Sequence, residues 1–405
     1  INSARLLGWM DDQAKIGATP DGGLSRPALS AVDIEVRDWF RDELQQHGFE
    51  YRIDGAGNQT AFLKSENPDA KTLLIGSHFD SVPDGGRFDG ALGVLAAFEA
   101  AVTIKENNIS LPFHLEVINF TDEEGTLTGL FGSSVLAGLM TADDLQHPRG
   151  GRETLIEGLT RAGLSEHGVM DAERDPDTLL GYIEVHIEQG TRLEKSSTDI
   201  GVVTSIVGIR SRWLTFTGEA AHAGTEPITE RRDAFMGAAE FSQQAFALVQ
   251  EKYSPGVVNF GMVEVQPGAF NIVPGMAKLA LEFRHGDAAI FDAMEDDLLA
   301  LAAEIASDFS LGLEIEKAHD VIPAPMSEKF VQVIEQAADN CNLSHTRLMS
   351  FAGHDAQSLA QITDSVMYFV PSVNGISHNP REYTAPEDCV NAANVMLQAV
   401  LRLDH

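Results

Sequence analysis

Apolar and polar positions along the chain fall into helical and strand periods. Residues 33 to 47 carry Val36, Phe40 and Leu44 at four-residue spacing with Trp39 beside them, which predicts an amphipathic helix. Apolar runs at 71 to 76 and 113 to 120 predict buried strands, and the alanine-rich stretch 91 to 106 between them predicts a helix. Strand, helix, strand at that spacing is a βαβ unit and implies a parallel sheet. From about residue 205 the order becomes strand (209 to 217), helix (231 to 251), two strands (257 to 265 and 277 to 285), helix (288 to 308) and strand (311 to 317). That βαββαβ order predicts a ferredoxin-like α+β sandwich. After about 322 helix-rich sequence returns, with one apolar strand at 366 to 370 and a final helix at 386 to 403.

The expected architecture is therefore an α/β domain with a mixed, largely parallel sheet flanked by helices, spanning 1–204 and 322–405. A smaller α+β domain at 205–321 interrupts it. Ligands on both sides of the insertion then belong to one site. No internal repeat, low-complexity tract or long linker is present.

Chemistry gathers where the predicted strands end, which is where open α/β sheets build their sites. The run Thr72 to Ile75 leads into Gly76-Ser-His-Phe-Asp80, and Asp89 follows a turn marked by Pro83, Gly85 and Gly86. His78 offers a neutral nitrogen ligand, one carboxylate can bridge two cations, and another can orient the imidazole. The strand at 113 to 120 ends in Thr121-Asp-Glu-Glu-Gly125. Neighbouring glutamates cannot point the same way, so one can ligate metal while the other acts as a base.

In Tyr182 to Gly190, alternation sets Ile183, Val185 and Ile187 on one face and Glu184, His186 and Glu188 on the other. An acidic face around a histidine is costly inside a parallel sheet unless a cation compensates it. Finally, residues 371 to 380 follow the apolar strand and present His378 in a turn. Each segment alone reads as a solvated acidic face or a capping histidine. All four on strands of one domain supply three histidines and two or three carboxylates, a set suited to zinc, manganese, cobalt or nickel.

Composition narrows the partners. Against 28 Lys and Arg stand 61 Asp and Glu, a net charge of −33, which repels nucleic acid and anionic membrane. Cys341 and Cys389 are the only cysteines, with no CxxC spacing, so neither a disulfide framework nor a zinc ribbon is expected. The first residues lack a signal-peptide core, although without an initiator Met the true start is unseen. No apolar run approaches a membrane span, and a soluble cytoplasmic protein is expected.

The order His78-x-Asp80, Asp89, Glu123-Glu124, His186, His378 resembles the co-catalytic metallohydrolases related to aminoacylases and carboxypeptidases. Within that clan the chain is most similar to the N-carbamoyl-L-amino-acid amidohydrolases (the hydantoinase/carbamoylase family), with β-ureidopropionase and allantoate amidohydrolase as sisters. The phrases GSHFDSVPDGGRFDGALGVL, VHIEQG, TGEAAHAGTEP, RRDA, AGHDAQ and PSVNGISHNP carry the resemblance over nearly the whole chain. His186 is discriminating, because peptidase relatives usually have a carboxylate there.

The resemblance implies two divalent ions (Zn, Mn, Co or Ni) bridged by Asp89. His78 and His186 would complete one ligand set, and Glu124 and His378 the other. Asp80 would hold the His78 tautomer, and Glu123 would be the base that carries water's proton to the leaving nitrogen. His222 would donate to the developing oxyanion, and Asn271 and Arg284 would hold a substrate carboxylate. Gln189, Gly353 and His354 would line the pocket, although His354 could equally cap the following helix. Pattern alone pairs Arg284 with Glu282 on the same strand face. Relatives dimerise through the inserted domain, so a homodimer is implied, in which His222 can reach the partner's active site.

The implied reaction is hydrolysis of the ureido C–N bond of an N-carbamoyl-L-amino acid. Allantoate, ureidoglycolate, N-carbamoyl-β-alanine or an N-acyl amino acid are the alternatives within enzymes; a peptidase is disfavoured by His186. A non-catalytic binding module would have lost Glu123 or a ligand, and all are present. One segment departs from the family: Gly125-Thr-Leu-Thr-Gly-Leu-Phe131 replaces a slightly longer loop that carries an Arg-Phe pair, which bears on the acyl group accepted.

Overall fold

The computed structural model describes residues 1 to 403. Its chain forms two compact units: residues 1–204, 326–348 and the described residues from 353 onward in the larger, and residues 205–325 and 349–352 in the smaller.

The larger unit is built on a mixed sheet. Its strands run Glu50–Ile53, Gln59–Leu63, His114–Phe120, Thr72–His78, Leu179–Ile187, Ser365–Val370 and Ile200–Ile206 across the sheet. The central four, from His114–Phe120 to Ser365–Val370, are mutually parallel, and the flanking strands pair antiparallel. Every residue of Thr72–His78 is buried, as a near-continuous apolar run in a sheet covered on both faces requires. The helix Ala91–Glu106 is apolar almost all round and buried almost throughout, so it packs within the core instead of lying on its surface. Phe98 on this helix stacks on Trp9 at 4.6 Å and meets Phe40 and Phe49 edge-on. Each fully buried Leu or Phe of this kind contributes about 2 kcal/mol. The helix 33 to 47 of the pattern is Ala31–Gln46, with Ser30 as its N-cap accepting from the Asp33 amide.

The smaller unit contains Gly208–Thr217, Ala234–Lys252, Val257–Gln266, Met276–His285, Ala288–Asp308 and Gly312–Val321, in βαββαβ order. Its four-stranded antiparallel sheet runs Gly312–Val321, Gly208–Thr217, Met276–His285, Val257–Gln266. Along Met276–His285 alternate residues are buried, which puts Leu279, Leu281 and Phe283 into a core with Phe241, Phe291, Met294 and Leu298. The last strand is longer than the sequence pattern suggests, because an irregularity at Lys317–His319 lets pairing continue to Val321. Among the described residues no helix is long and apolar enough to cross a membrane.

Candidate metal centre

The four parallel strands deliver the four chemical segments to one edge of the sheet, past their carboxyl ends. His78 is the last residue of its strand, Glu123 and Glu124 follow Phe120 closely, His186 sits one residue before a strand end, and His378 lies in the turn after Val370. Two groups of ligand atoms result, His78 with Asp89 and His186, and Asp89 with Glu124 and His378; within each group the atoms lie within 4.8 Å of one another. Asp89 is common to both. Its Oδ1 is 3.1 Å from His186 Nε2 and 3.6 Å from His78 Nε2, while Oδ2 is 3.6 Å from His378 Nε2. Glu124 Oε2 is 3.2 Å from His378 Nε2.

Electrostatics follow from this crowding. Burial opposes ionisation of Asp89, yet His186, His78 and His378 overcome it and hold the carboxyl well below the usual carboxylate range. Burial and the neighbouring Asp89 charge push Glu124 up. Glu123 is pushed well above the carboxylate range, first by burial, with Glu124 adding to the shift and His78 opposing it. His378 is half-exposed and rises to about 9, chiefly through its hydrogen bond to Glu124.

The first loop needs its glycines. Gly90 has φ +63°, and a Cβ there would come within 2.5 Å of the His78 ring. At Gly86 a Cβ would fall 1.9 Å from the Glu382 carboxyl carbon. Small residues therefore let the loop wrap tightly around the imidazole.

Asp80 works differently from the expectation. His78 Nδ1 meets the Asp80 backbone carbonyl at 3.0 Å, while the nearer carboxylate oxygen is 3.6 Å away. The carboxylate instead accepts the amides of Glu123 at 3.3 Å and Glu124 at 3.2 Å. The imidazole is thus oriented by the main chain, and the side chain positions the glutamate pair. Glu123 belongs to neither ligand group; its Oε2 stands 3.7 Å from His78 Nε2.

The acidic face expected around His186 is buried. Glu184 is fully buried and accepts Ser77 Oγ at 2.8 Å and the Ala356 amide at 2.9 Å. Glu188 accepts the amides of Arg192 and Leu193 at the start of a short helix. Hydrogen bonds compensate these two carboxylates.

Of the pocket candidates, Gln189 donates from Nε2 to Asp89 Oδ2 at 2.7 Å, from a backbone at φ +55°. His354 is buried, 4.6 Å from the His186 ring, and burial with His186 keeps its pKa well below the ordinary value. It occupies the N-cap position of Asp355–Leu359 without a side-chain capping bond. Gly353 beside it is exposed.

His222, Asn271 and Arg284 lie in the smaller unit. His222 is exposed, pairs with Ile272 in a two-stranded ribbon, and accepts the Gly224 amide on Nδ1; the Asn271 carbonyl accepts the Ala223 amide. Arg284 pairs with Glu282 at 2.7 Å and donates to the Phe351 carbonyl at 2.8 Å, so the pairing suggested by pattern alone is formed.

The loop after Glu124 is organised by Asp122, at φ +59°, whose carboxylate accepts the amides of Leu127, Thr128 and Gly129. Sequence reasoning did not single out Asp122, nor Ser377 and Glu382, which bond to Asp89. The one available signal for Glu382 was its position four residues after His378.

The donor set fits divalent cations. Each group combines imidazole and carboxylate, as Zn, Mn, Co and Ni accept, and three protein ligands leave room for water and substrate. His78 Nε2 and Glu124 Oε1 are buried and have no hydrogen-bond partner among the described residues, a costly state that a cation would relieve.

A parallel-sheet domain with imidazole and carboxylate ligands at its carboxyl edge defines a metal-dependent hydrolase, and the family comparison agrees. The chain belongs to peptidase family M20/M25/M40, whose model matches residues 74–402. Within it the chain stands with the hydantoinase/carbamoylase amidases, as a hydrolase of amide or ureido bonds. It is 34% identical to the N-carbamoyl-L-amino acid amidohydrolase of Geobacillus stearothermophilus, over 100% of this chain and 99% of that protein. The allantoate amidohydrolase of Escherichia coli (strain K12) is 31% identical, over 98% of this chain and 96% of that protein. An amidase of the hydantoinase/carbamoylase family from Burkholderia multivorans superposes with a TM-score of 0.90 at 35% identity, over 99% of this chain and 98% of that one.

Proposed function

We propose that this chain is a dinuclear amidohydrolase that cleaves the ureido C–N bond of an N-carbamoyl-L-amino acid. The observation that carries the reading is the separation of roles at one edge of the sheet. Five side chains fall into two ligand groups sharing Asp89, and a sixth, Glu123, stays outside both. Two bound cations would acidify a water and polarise the carbamoyl carbonyl. Glu123 takes the water's proton as the new C–O bond forms and passes it to the leaving nitrogen. Asp80 fixes the main chain of Glu123 and Glu124 together, so base and ligand hold one register. Protonation of the leaving nitrogen frees the amino acid, and the carbamic acid left behind breaks down to ammonia and carbon dioxide.

The smaller unit serves in this reading as lid and dimerisation domain, with His222 as oxyanion donor and Asn271 and Arg284 as carboxylate ligands. Arg284 holds Glu282 through Nε and Nη2 and the Phe351 carbonyl through Nη1, and the second proton on each Nη is the donor left for a substrate carboxylate. Gln189, Gly353 and His354 line the pocket.

The test is ammonia release after chelation and restoration of Mn, Co, Ni or Zn. The panel comprises N-carbamoyl-L-amino acids, N-carbamoyl-β-alanine, allantoate and ureidoglycolate, with N-acyl amino acids and dipeptides followed by amine release. N-carbamoyl-L-amino acids are expected to turn over fastest, and Glu123→Gln to lose about a thousandfold in kcat with metal content unchanged. No ammonia from any ureido compound sinks the reading, and preference for allantoate replaces the substrate.

A further inference from the structure

Glu382 lies outside both ligand groups, is buried, and touches the shared ligand from two directions. Its Oε1 accepts the Phe88 amide at 2.9 Å and the Asp89 amide at 3.1 Å. Its Oε2 meets Ser377 Oγ at 2.9 Å, and the same hydroxyl oxygen is 2.9 Å from Asp89 Oδ2. Gln189 Nε2 completes the ring, 2.7 Å from Asp89 Oδ2 and 3.4 Å from Ser377 Oγ. One carboxylate nearly three hundred residues away in sequence thus grips both the backbone and, through Ser377, the side chain of Asp89. Gly86 is glycine where this carboxylate packs, with no space for a Cβ.

We propose that Glu382 is a positioning residue for the metal centre, acting with Ser377 to fix Asp89 in the orientation that two cations share. Oδ1 of Asp89 faces the His186 group and Oδ2 the His378 group, and rotation about χ2 would turn both oxygens away from those directions. Loss of the clamp therefore weakens retention of two equivalents while leaving every ligand present. The proposal rests on reading the two groups as a metal centre. It goes further by assigning a role to residues that ligate nothing.

Hydrogen-bond counting makes the substitutions informative. A serine hydroxyl has one proton and cannot donate to both carboxylates at once. An amide at 382 meets the same geometry: its oxygen accepts the Phe88 and Asp89 amides, its NH2 donates to Ser377, and the hydroxyl donates to Asp89. Glu382→Gln is thus the conservative variant, Glu382→Ala removes the clamp, and Ser377→Ala removes only the link to the side chain.

The experiment measures metal per chain after dialysis against a weak chelator, together with the rise in Tm that Mn or Zn gives over the metal-free protein. Wild type and Glu382→Gln are expected to hold two equivalents with matching Tm rises. Glu382→Ala is expected to retain about one equivalent with a clearly smaller rise, and Ser377→Ala to weaken the less tightly held ion at least tenfold. A merely structural role lowers the metal-free and metal-loaded Tm equally and leaves the rise intact. That outcome, or two equivalents held at wild-type affinity by Glu382→Ala, overturns the proposal. Should Glu382→Ala not fold, wild-type affinity in Ser377→Ala overturns it instead. Wild-type protein that takes up no metal refutes the metal centre itself, a distinct result.

Discussion

At the scale of the residue, the centre is a set of charges that cannot coexist without compensation. In the metal-free chain protons do part of that work. Glu124 hydrogen-bonds the His378 imidazole and pushes its pKa up to about 9. That folded value exceeds the ordinary 6.5, so the pairing stabilises the metal-free fold fully below about pH 6.5 and the contribution fades as pH rises through about 9. A cation needs the neutral imidazole and must expel this proton. Metal uptake at pH 7.5 is therefore expected to release at least one proton, read from the dependence of calorimetric heat on buffer ionisation. Affinity is expected to fall about tenfold or more per pH unit from pH 9 to 7. Uptake without proton release contradicts the assignment of His378 as a ligand. His78, Asp89, Glu123, Glu124, His186 and His378 were all legible as chemistry, because each lies on a predicted strand or in the loop that follows one. The bonds of Asp80 were not legible, since whether its carboxylate or its carbonyl meets His78 depends on local backbone geometry that residue type does not encode. Glu382 was missed because it sits in a loop without periodicity and ligates nothing.

At the scale of the element, two kinds of strand behave differently. The parallel strands Thr72–His78 and Ser365–Val370 read clearly from sequence, since burial on both faces demands continuous apolar runs. The strands Glu50–Ile53, Gln59–Leu63 and His345–Ser350 were not anticipated. They are short and mixed in polarity, and only tertiary pairing makes them strands. In the smaller unit Val257–Gln266 ends its sheet, and its outer edge has no strand partner among the described residues. Met262 and Val263 on that strand are each 48% exposed, and Phe235, Met236 and Phe246 on the helix Ala234–Lys252 are exposed as well. Apolar side chains on a free edge promote pairing with another chain, and a two-fold operation pairs the edge with itself. The wild-type chain is expected to sediment as a dimer. Met262→Glu with Val263→Glu, which alters only exposed positions, is expected to sediment as a monomer with an unchanged far-UV spectrum. A monomeric wild type, or a dimer that survives both charges, contradicts this assignment of the interface.

At the scale of the whole molecule, the chain commits charge in two ways. Its net −33 lies mostly on the surface, while a handful of buried carboxylates are held by backbone amides, hydroxyls and imidazoles around the centre. The two-unit organisation follows from the switch in pattern near residue 205, and the units divide at 204/205 and 325/326, with 349–352 also in the smaller. That last short segment had no signal in the sequence, because it belongs to the smaller unit by contact and not by continuity.

The central claim is that two cations sharing Asp89 drive hydrolysis of a ureido bond. Chelated protein titrated with Mn or Zn, with ammonia release from an N-carbamoyl-L-amino acid followed at each addition, tests it most directly. Turnover that stays near background through the first equivalent per chain and rises to a plateau at the second is the predicted result. Full turnover in the chelated protein, a plateau at one equivalent, or no ammonia at two would contradict it.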